Sequence, residues 1–332
     1  MKRRIVRLHS GERRSGMRIL LILLLASLAG CADEARKARE ADEQRELAVA
    51  ELTARGTAQS LAAASLLGRF KHERRSQELI DRAVAIAPDQ PALAYIQWRE
   101  CAGAPCAEEE EIRTRLQAVA PDNGLVWLPE LNAALERADA SAVTGAVAKI
   151  GASRHISIYW TSLVVMLVDA FGEKSPSTGR PAFAESSTDR MVDAIGILAA
   201  VSTPPLQAIA KSCRADQFDQ PGRREACEAM MARMAGSDNF LMQSLAVNIQ
   251  QKWWPEGSLE REQLRARRRQ LDYVMLASSR IRVLHLDRDW AQRLEAMRKS
   301  NDELDVMRAM LAFHHEPLEP PANWRNPYAP GE

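Results

Sequence analysis

Two copies of one pattern decide the fold of this chain: ELIDRAVAIAPD at residues 78–89 and EIRTRLQAVAPD at residues 111–122. In each copy apolar residues recur every four positions, which places them on one face of a helix. Each copy ends in Ala-Pro-Asp, which is typical of a point where one helix ends and the next is capped. Pro88 and Pro121 are 33 positions apart. Repetition at this length predicts stacked helical hairpins. The apolar positions are Leu79, Ala83 and Ala87 in the first copy and Ile112, Leu116 and Ala120 in the second.

The pattern resembles the tetratricopeptide repeat, a pair of helices about 34 residues long whose second helix typically ends at a proline. The resemblance covers about residues 57–150. The chain lacks the W-x-x-L-G-x-x-Y pattern of the family's first helix. At the position of a third copy, 33 residues after Pro121, it has Arg154 in place of proline. The resemblance implies that the first helix of each pair lines a concave, protein-binding surface. The first helices are expected at residues 59–70, 91–100 and 125–135. The contact residues it then implies are Arg69, Gln97, Trp98, Glu130 and Asn132, with a core position as the alternative for Trp98.

The rest of the chain also has helical periodicity, because apolar residues recur at spacings of three and four and alternating runs are rare. We therefore expect an all-α fold of stacked antiparallel helical hairpins over residues 57–171. A Gly/Pro/Ser-rich break at 172–181 precedes a C-terminal helical region, a possible second subdomain, over residues 182–315. A charged helical stalk over residues 31–56 and a Pro-rich extended tail over residues 316–332 complete the predicted organisation.

The N-terminus has the three parts of a secretory signal: a basic segment, a short apolar run at residues 19–25, and small residues. The apolar run is shorter than the roughly 20 residues that span a bilayer. Leu28-Ala29-Gly30-Cys31 resembles the lipobox of bacterial lipoproteins, which implies removal of residues 1–30 and acylation of Cys31. The alternative is an ordinary signal with an incidental cysteine. In enterobacterial lipoproteins, Asp directly after the cysteine retains the protein in the inner membrane. Ala32 occupies that position, so the resemblance implies the outer membrane.

Removal of the signal changes the charge of the chain. Residues 1–30 contain seven basic residues and one acidic residue, so their loss shifts the formal net charge from +1 to −5. A mildly acidic body does not favour a polyanion, and we expect no nucleic-acid partner.

Four cysteines remain after Cys31 is assigned to lipid. An even number in an oxidising compartment indicates two disulfides. Of the three possible pairings, sequence distance favours Cys101 with Cys106 and Cys213 with Cys227. The C-x-x-C spacing of redox motifs and the paired spacing of zinc sites are both absent from the sequence.

Three clusters have a functional interpretation beside a structural one. His314-His315-Glu316 offers metal ligands, but adjacent histidines on a helix point about 100° apart, which favours a helix end. Methionines near Cys227 offer a copper(I) site but more often fill a core. An arginine-rich stretch at residues 261–270 offers contact with anionic lipid, although flanking glutamates favour a solvated helix face.

No motif of nucleophilic, phosphate-binding or paired-carboxylate catalysis is present in the sequence, so we predict no catalytic, cofactor or metal-binding residue. The sequence favours a membrane-anchored periplasmic lipoprotein that acts as a scaffold for a protein or peptide partner. The alternatives are a periplasmic cell-wall or hydrolytic enzyme with dispersed catalytic residues, and a purely structural spacer. The inference from an array of hairpins to protein binding is by analogy.

Overall fold

A computed structural model describes residues 36–328 except 38, 70, 72, 102–107, 175–178, 185 and 285. The regular structure in these residues is helical, with no β-strand, which confirms the all-α prediction. The chain divides into two compact units, residues 1–48 and 49–332. The predicted signal peptide and Cys31 lie outside the described residues. Within the described part, no helix has the length and apolar character needed to cross a membrane.

In the first unit residues 36, 37 and 39–48 are helical. The second unit begins with helical residues 49–55, named α1. The helices that follow are α2 (Ala58–Gly68), α3 (Glu73–Ile86), α4 (Pro91–Cys101), α5 (Glu109–Val119), α6 (Leu128–Glu136), α7 (Ala140–Ala152), α8 (Trp160–Gly172), α9 (Ser187–Val201), α10 (Gln207–Ser212), α11 (Arg223–Ala235), α12 (Phe240–Gln251), α13 (Leu259–Leu284), α14 (Leu286–Lys299) and α15 (Glu303–Phe313). Short 3-10 helices occupy Gly124–Trp127 and Ala215–Gln217.

The repeated Ala-Pro-Asp segments end helices as the sequence predicts. Helix α3 stops at Ile86 and α5 at Val119, each shortly before its proline. At the second copy the cap of the following helix is Asn123, not Asp122. The Asn123 side chain accepts the amide hydrogen of Leu125, whereas the Asp122 carbonyl accepts the amide hydrogens of residues 154 and 155. The prediction that aspartate caps the next helix is therefore wrong at this copy.

Helices α2 to α5 pack successively, each against the next, as helical hairpins do. Helix α2 starts with a capping box, in which Thr57 and Ser60 satisfy each other's backbone amides. Helices α8 and α9 contact α2 as well, and α7 contacts α11. A one-dimensional stack does not require such contacts, because in it each repeat meets only its neighbours. The later part of the chain thus covers part of the earlier hairpins.

The C-terminal region has the helices that its periodicity predicts. Helix α9 begins at the sequence SSTD, residues 186–189, where Ser186 caps it by accepting the amide hydrogen of Asp189. The break at 172–181 lies in the connection between α8 and α9, inside the second unit. The predicted bridge between Cys213 and Cys227 is present, with Cα atoms 5.6 Å apart. Cys106 lies outside the described residues, so the pairing of Cys101 with Cys106 stays a prediction.

Candidate functional site

The face of α4 that the sequence assigns to a concave binding surface is covered by the chain itself. The Tyr95 side chain is fully buried, and its hydroxyl donates to the carbonyl of Ser202. Arg99 donates to the carbonyl oxygens of Val201 and Thr203 at 3.3 and 2.9 Å. The Tyr159 ring packs edge-on against Tyr95, with centroids 5.6 Å apart. The end of α9 and the start of α8 therefore fill the place where a partner was expected.

Two predicted contact residues lie in the core. Gln97 is 2% exposed; its amide donates to Asp81 and its carbonyl oxygen accepts from Arg115. Trp98 is 4% exposed and packs against the Tyr95 ring, with centroids 5.7 Å apart. Neither side chain is available to a partner, because neighbouring parts of the chain cover α4 on both sides. The prediction of a binding role is wrong for Gln97 and Trp98.

The other three predicted contact residues are partly exposed. Arg69 pairs with the buried carboxylate of Glu100 at 3.0 Å. Glu130 accepts two hydrogen bonds from the Lys149 ammonium at 2.8 Å. Asn132 lies on α6. Their role in binding stays a prediction.

An open groove lies beside the covered face, where the first turns of α2 and α4 meet α8. We call it the edge groove; it has a volume of about 630 Å³. Gln59 and Gln90 form one wall with their exposed side chains. Val165 and Met166 of α8 supply partly buried apolar surface. The groove thus combines an apolar lining with neutral amide groups.

The charged groups at one end of the edge groove are paired. Asp169 accepts a hydrogen bond from Arg298 at 2.6 Å, and Glu173 accepts one from Arg55 at 3.1 Å. In the part of the chain that the structure describes, the side-chain amides of Gln59 and Gln90 have no hydrogen-bond partner. The groove therefore presents two solvent-exposed neutral amides, each both donor and acceptor, to a ligand.

The predicted Pro-rich tail lies against α13 and forms a second candidate surface. The Arg269 guanidinium donates to the carbonyl oxygens of Pro321, Ala322 and Trp324 at 2.6, 3.0 and 2.9 Å. The Tyr273 hydroxyl donates to the carbonyl of residue 317 at 3.0 Å. Helix α13 thus holds the tail mainly through main-chain carbonyls. The tail is not extended throughout, contrary to the sequence prediction, because it bends at residues 318–319 and turns where the Trp324 amide donates to the Pro321 carbonyl.

A cluster of partly buried carboxyl groups lies where α12 and α15 begin. Asp238 accepts a hydrogen bond from the Ser157 hydroxyl at 2.5 Å. Burial raises the pKa of Asp238 to about 6, and the charge of Asp302 adds to the increase. Burial also raises the pKa of Glu303, whose carboxylate accepts the amide hydrogen of Phe240. These groups join three segments of chain and are held by hydrogen bonds, so we assign them a structural role.

The raised pKa makes stability depend on pH. Because the pKa of Asp238 is about 6 in the folded chain, above the ordinary value of an aspartate, its carboxyl favours the folded state at low pH. That contribution, about 3 kcal/mol, is lost as pH rises from about 4 through about 6. In the Asp238→Asn variant the free energy of unfolding should therefore change less between pH about 4 and about 6 than it does in the wild type. Urea denaturation at several pH values between about 4 and about 6 measures this free energy. Asp219→Asn is the control, because Asp219 is exposed. Parallel curves for wild type and Asp238→Asn would contradict the assignment.

The His314-His315-Glu316 cluster, the methionines near Cys227 and the arginine-rich stretch at residues 261–270 each make structural contacts within the fold. Among the described residues no group of three or more His, Cys, Asp or Glu side chains is arranged to hold a metal ion. Cys227 is in a disulfide, and the nearby methionines are fully buried. His314 lies 2.9 Å from a carboxylate oxygen of Asp289. Arg265 and Arg268 pair with neighbouring carboxylates at Glu262 and Asp272. These contacts are consistent with a core role for the methionines, a helix end for the histidines and a solvated helix face for the arginines.

Comparison with known proteins gives no relative. No protein-family model matches the chain, and neither a curated protein nor a solved structure matches it significantly.

Proposed function

We propose that this chain is an envelope lipoprotein, anchored to the outer membrane through acylated Cys31 and facing the periplasm. Its helical body is a scaffold that binds an extended segment of a protein partner. In this proposal residues 57–171 are a tetratricopeptide-like array of hairpins, with the edge groove as its open part. The signal-like N-terminus and the LAGC motif at residues 28–31 support the anchor.

The edge groove is the observation that carries the binding role. An extended peptide has one main-chain donor and one acceptor at almost every residue. The amides of Gln59 and Gln90 provide both kinds of group at the wall of an open groove. Met166 adapts its shape to different side chains, which suits a scaffold. Because the carboxylates at the end are paired with arginines, the groove does not select a strongly charged ligand.

Site-specific crosslinking tests this role. A photoreactive amino acid at position 59 or at position 90 should capture, in intact envelopes, the same peptide of one partner protein. The same substitution at Gln207 and at Gln263 is the matched control, since both are exposed helical glutamines outside the groove. Capture at all four positions alike would contradict the groove assignment. No capture at any position would favour the alternative that the protein is a purely structural spacer.

The double variant Gln59→Ala with Gln90→Ala should weaken partner capture. Each amide contributes about 1 kcal/mol through hydrogen bonds to a bound segment. Loss of both corresponds to about 30-fold weaker binding. Quantitative pull-down of the crosslinked partner measures the effect, with Gln207→Ala and Gln263→Ala together as control. Unchanged capture by the groove variant at unchanged thermal stability would contradict the proposal.

A further inference from the structure

The end of the described chain presents an aromatic side chain that the fold does not bury. Tyr328 is 80% exposed. Its backbone is nevertheless fixed, because its amide donates to the Asn326 side chain at 2.9 Å, and Asn326 in turn donates to Asp272 of α13 at 2.9 Å. The structure thus holds an exposed ring in a defined place. A single exposed ring is ordinary on a protein surface, so its significance depends on the surface that it borders.

This ring borders a cavity between the tail and α13, which we call the tail pocket. The tail pocket has a volume of about 540 Å³. The rings of Tyr273 and Trp324 lie next to it, at 5.4 Å between centroids and 84° between planes. Three prolines of the tail also line it, at positions 317, 321 and 327. Aromatic and proline rings therefore form most of the walls.

Several polar side chains of the tail pocket already have partners within the chain. The Tyr273 hydroxyl donates to a tail carbonyl. Arg280 pairs with Glu316 at 3.2 Å, and the Ser279 hydroxyl contacts the sulfur of Met275. The surface that the pocket offers a ligand is therefore mainly that of its aromatic and proline rings.

We propose that the tail pocket binds a proline-rich extended segment of a protein partner. Proline has no amide hydrogen, and its fixed φ preorganises the polyproline II conformation, which lowers the entropic cost of binding. Such segments bind in shallow grooves lined by aromatic rings. The same helix already holds one proline-rich segment, the tail itself, so the tail pocket continues an interface of this chemistry. The tail pocket shares no lining residue with the edge groove, and the two proposals stand independently.

A synthetic decaproline peptide with a fluorescent label tests this inference. Fluorescence polarisation with the full-length protein in detergent should give a Kd below about 1 mM, the range of weak specific binding. A Gly-Ser peptide of equal length should not bind. Tyr328→Ala should raise the Kd about tenfold, because one aromatic contact is lost. Leu318→Ala is the matched control, since Leu318 is 43% exposed on the same tail and does not line the pocket; its Kd should be unchanged.

Three outcomes would overturn the proposal. The first is absence of decaproline binding, or equal binding of the Gly-Ser peptide. The second is equal affinity of wild type and Tyr328→Ala, which cannot be attributed to misfolding because the ring is exposed. The third is a different occupant. Light scattering that shows a dimer abolished by Tyr328→Ala would assign the pocket to a second copy. Binding of chitin oligomers in place of decaproline would assign it to a glycan.

Discussion

Replacing Arg223 by alanine is expected to lower the free energy of unfolding by about 4 kcal/mol, through a cavity and lost hydrogen bonds. Arg223 begins α11 and is 2% exposed. Its guanidinium donates to the Thr144 hydroxyl and to the carbonyl oxygens of Ala140 and Ser212 at 3.0, 2.7 and 3.1 Å. It therefore joins the first turn of α7, the end of α10 and α11. Removal leaves the buried carbonyl of Ser212, and the two partly buried acceptors on α7, without their partner.

The adjacent Arg224 provides a matched control. It has the same charge and lies in the same helix, but its side chain is 49% exposed and pairs with Glu228. Exposed ion pairs contribute at most about 1 kcal/mol, so Arg224→Ala should change stability little. Urea denaturation under non-reducing conditions compares the two variants while the disulfide between Cys213 and Cys227 stays intact. Equal loss of stability in both would contradict the role of Arg223.

Replacing Cys31 by serine is expected to remove the protein from the membrane fraction. Each buried CH₂ of an acyl chain contributes about 0.8 kcal/mol, so several chains give a durable anchor, and one chain does not. The variant cannot form the thioether-linked lipid and should appear as a soluble species or an uncleaved precursor. Fractionation of envelopes, with the mass of the N-terminal peptide, measures both outcomes.

A neighbouring substitution that leaves LAGC intact is the control for this experiment. Ala35→Ser should remain in the membrane fraction, because it leaves all four residues of the proposed lipobox, 28–31, unchanged. A wild-type protein that is released as a soluble periplasmic species would contradict the lipoprotein proposal. It would leave the edge groove and the tail pocket untouched, since neither depends on the anchor.

The helices and one of the two predicted disulfides were predictable because their signals are local. Proline positions fixed the ends of α3 and α5, and the short separation of Cys213 from Cys227 favoured their pairing. The burial of α4 on both sides was missed, although Leu93 to Ile96 form four consecutive apolar residues. A helix that is apolar all round is buried all round. That signal contradicted a concave, solvent-facing role for Gln97 and Trp98.

The candidate site was less predictable because its parts are distant in sequence. Gln59, Gln90 and Met166 meet only because α8 packs against α2, which no local pattern records. Likewise, sequence does not separate the buried Arg223 from the exposed Arg224, since they are adjacent and identical. The ordered tail was predicted as extended, but its place on α13 depends on the contacts of Arg269 and Tyr273.

The attachment of the tail to α13 has a consequence for quality control in the cell. Synthesis proceeds from the N-terminus, so α13 is exposed before residues 316–328 arrive to cover Tyr273. A molecule interrupted or clipped before residue 316 would leave this aromatic face bare. Bare apolar surface is what proteases and chaperones recognise. Copies clipped before residue 316 should therefore be cleared faster than intact ones even where their other helices are complete.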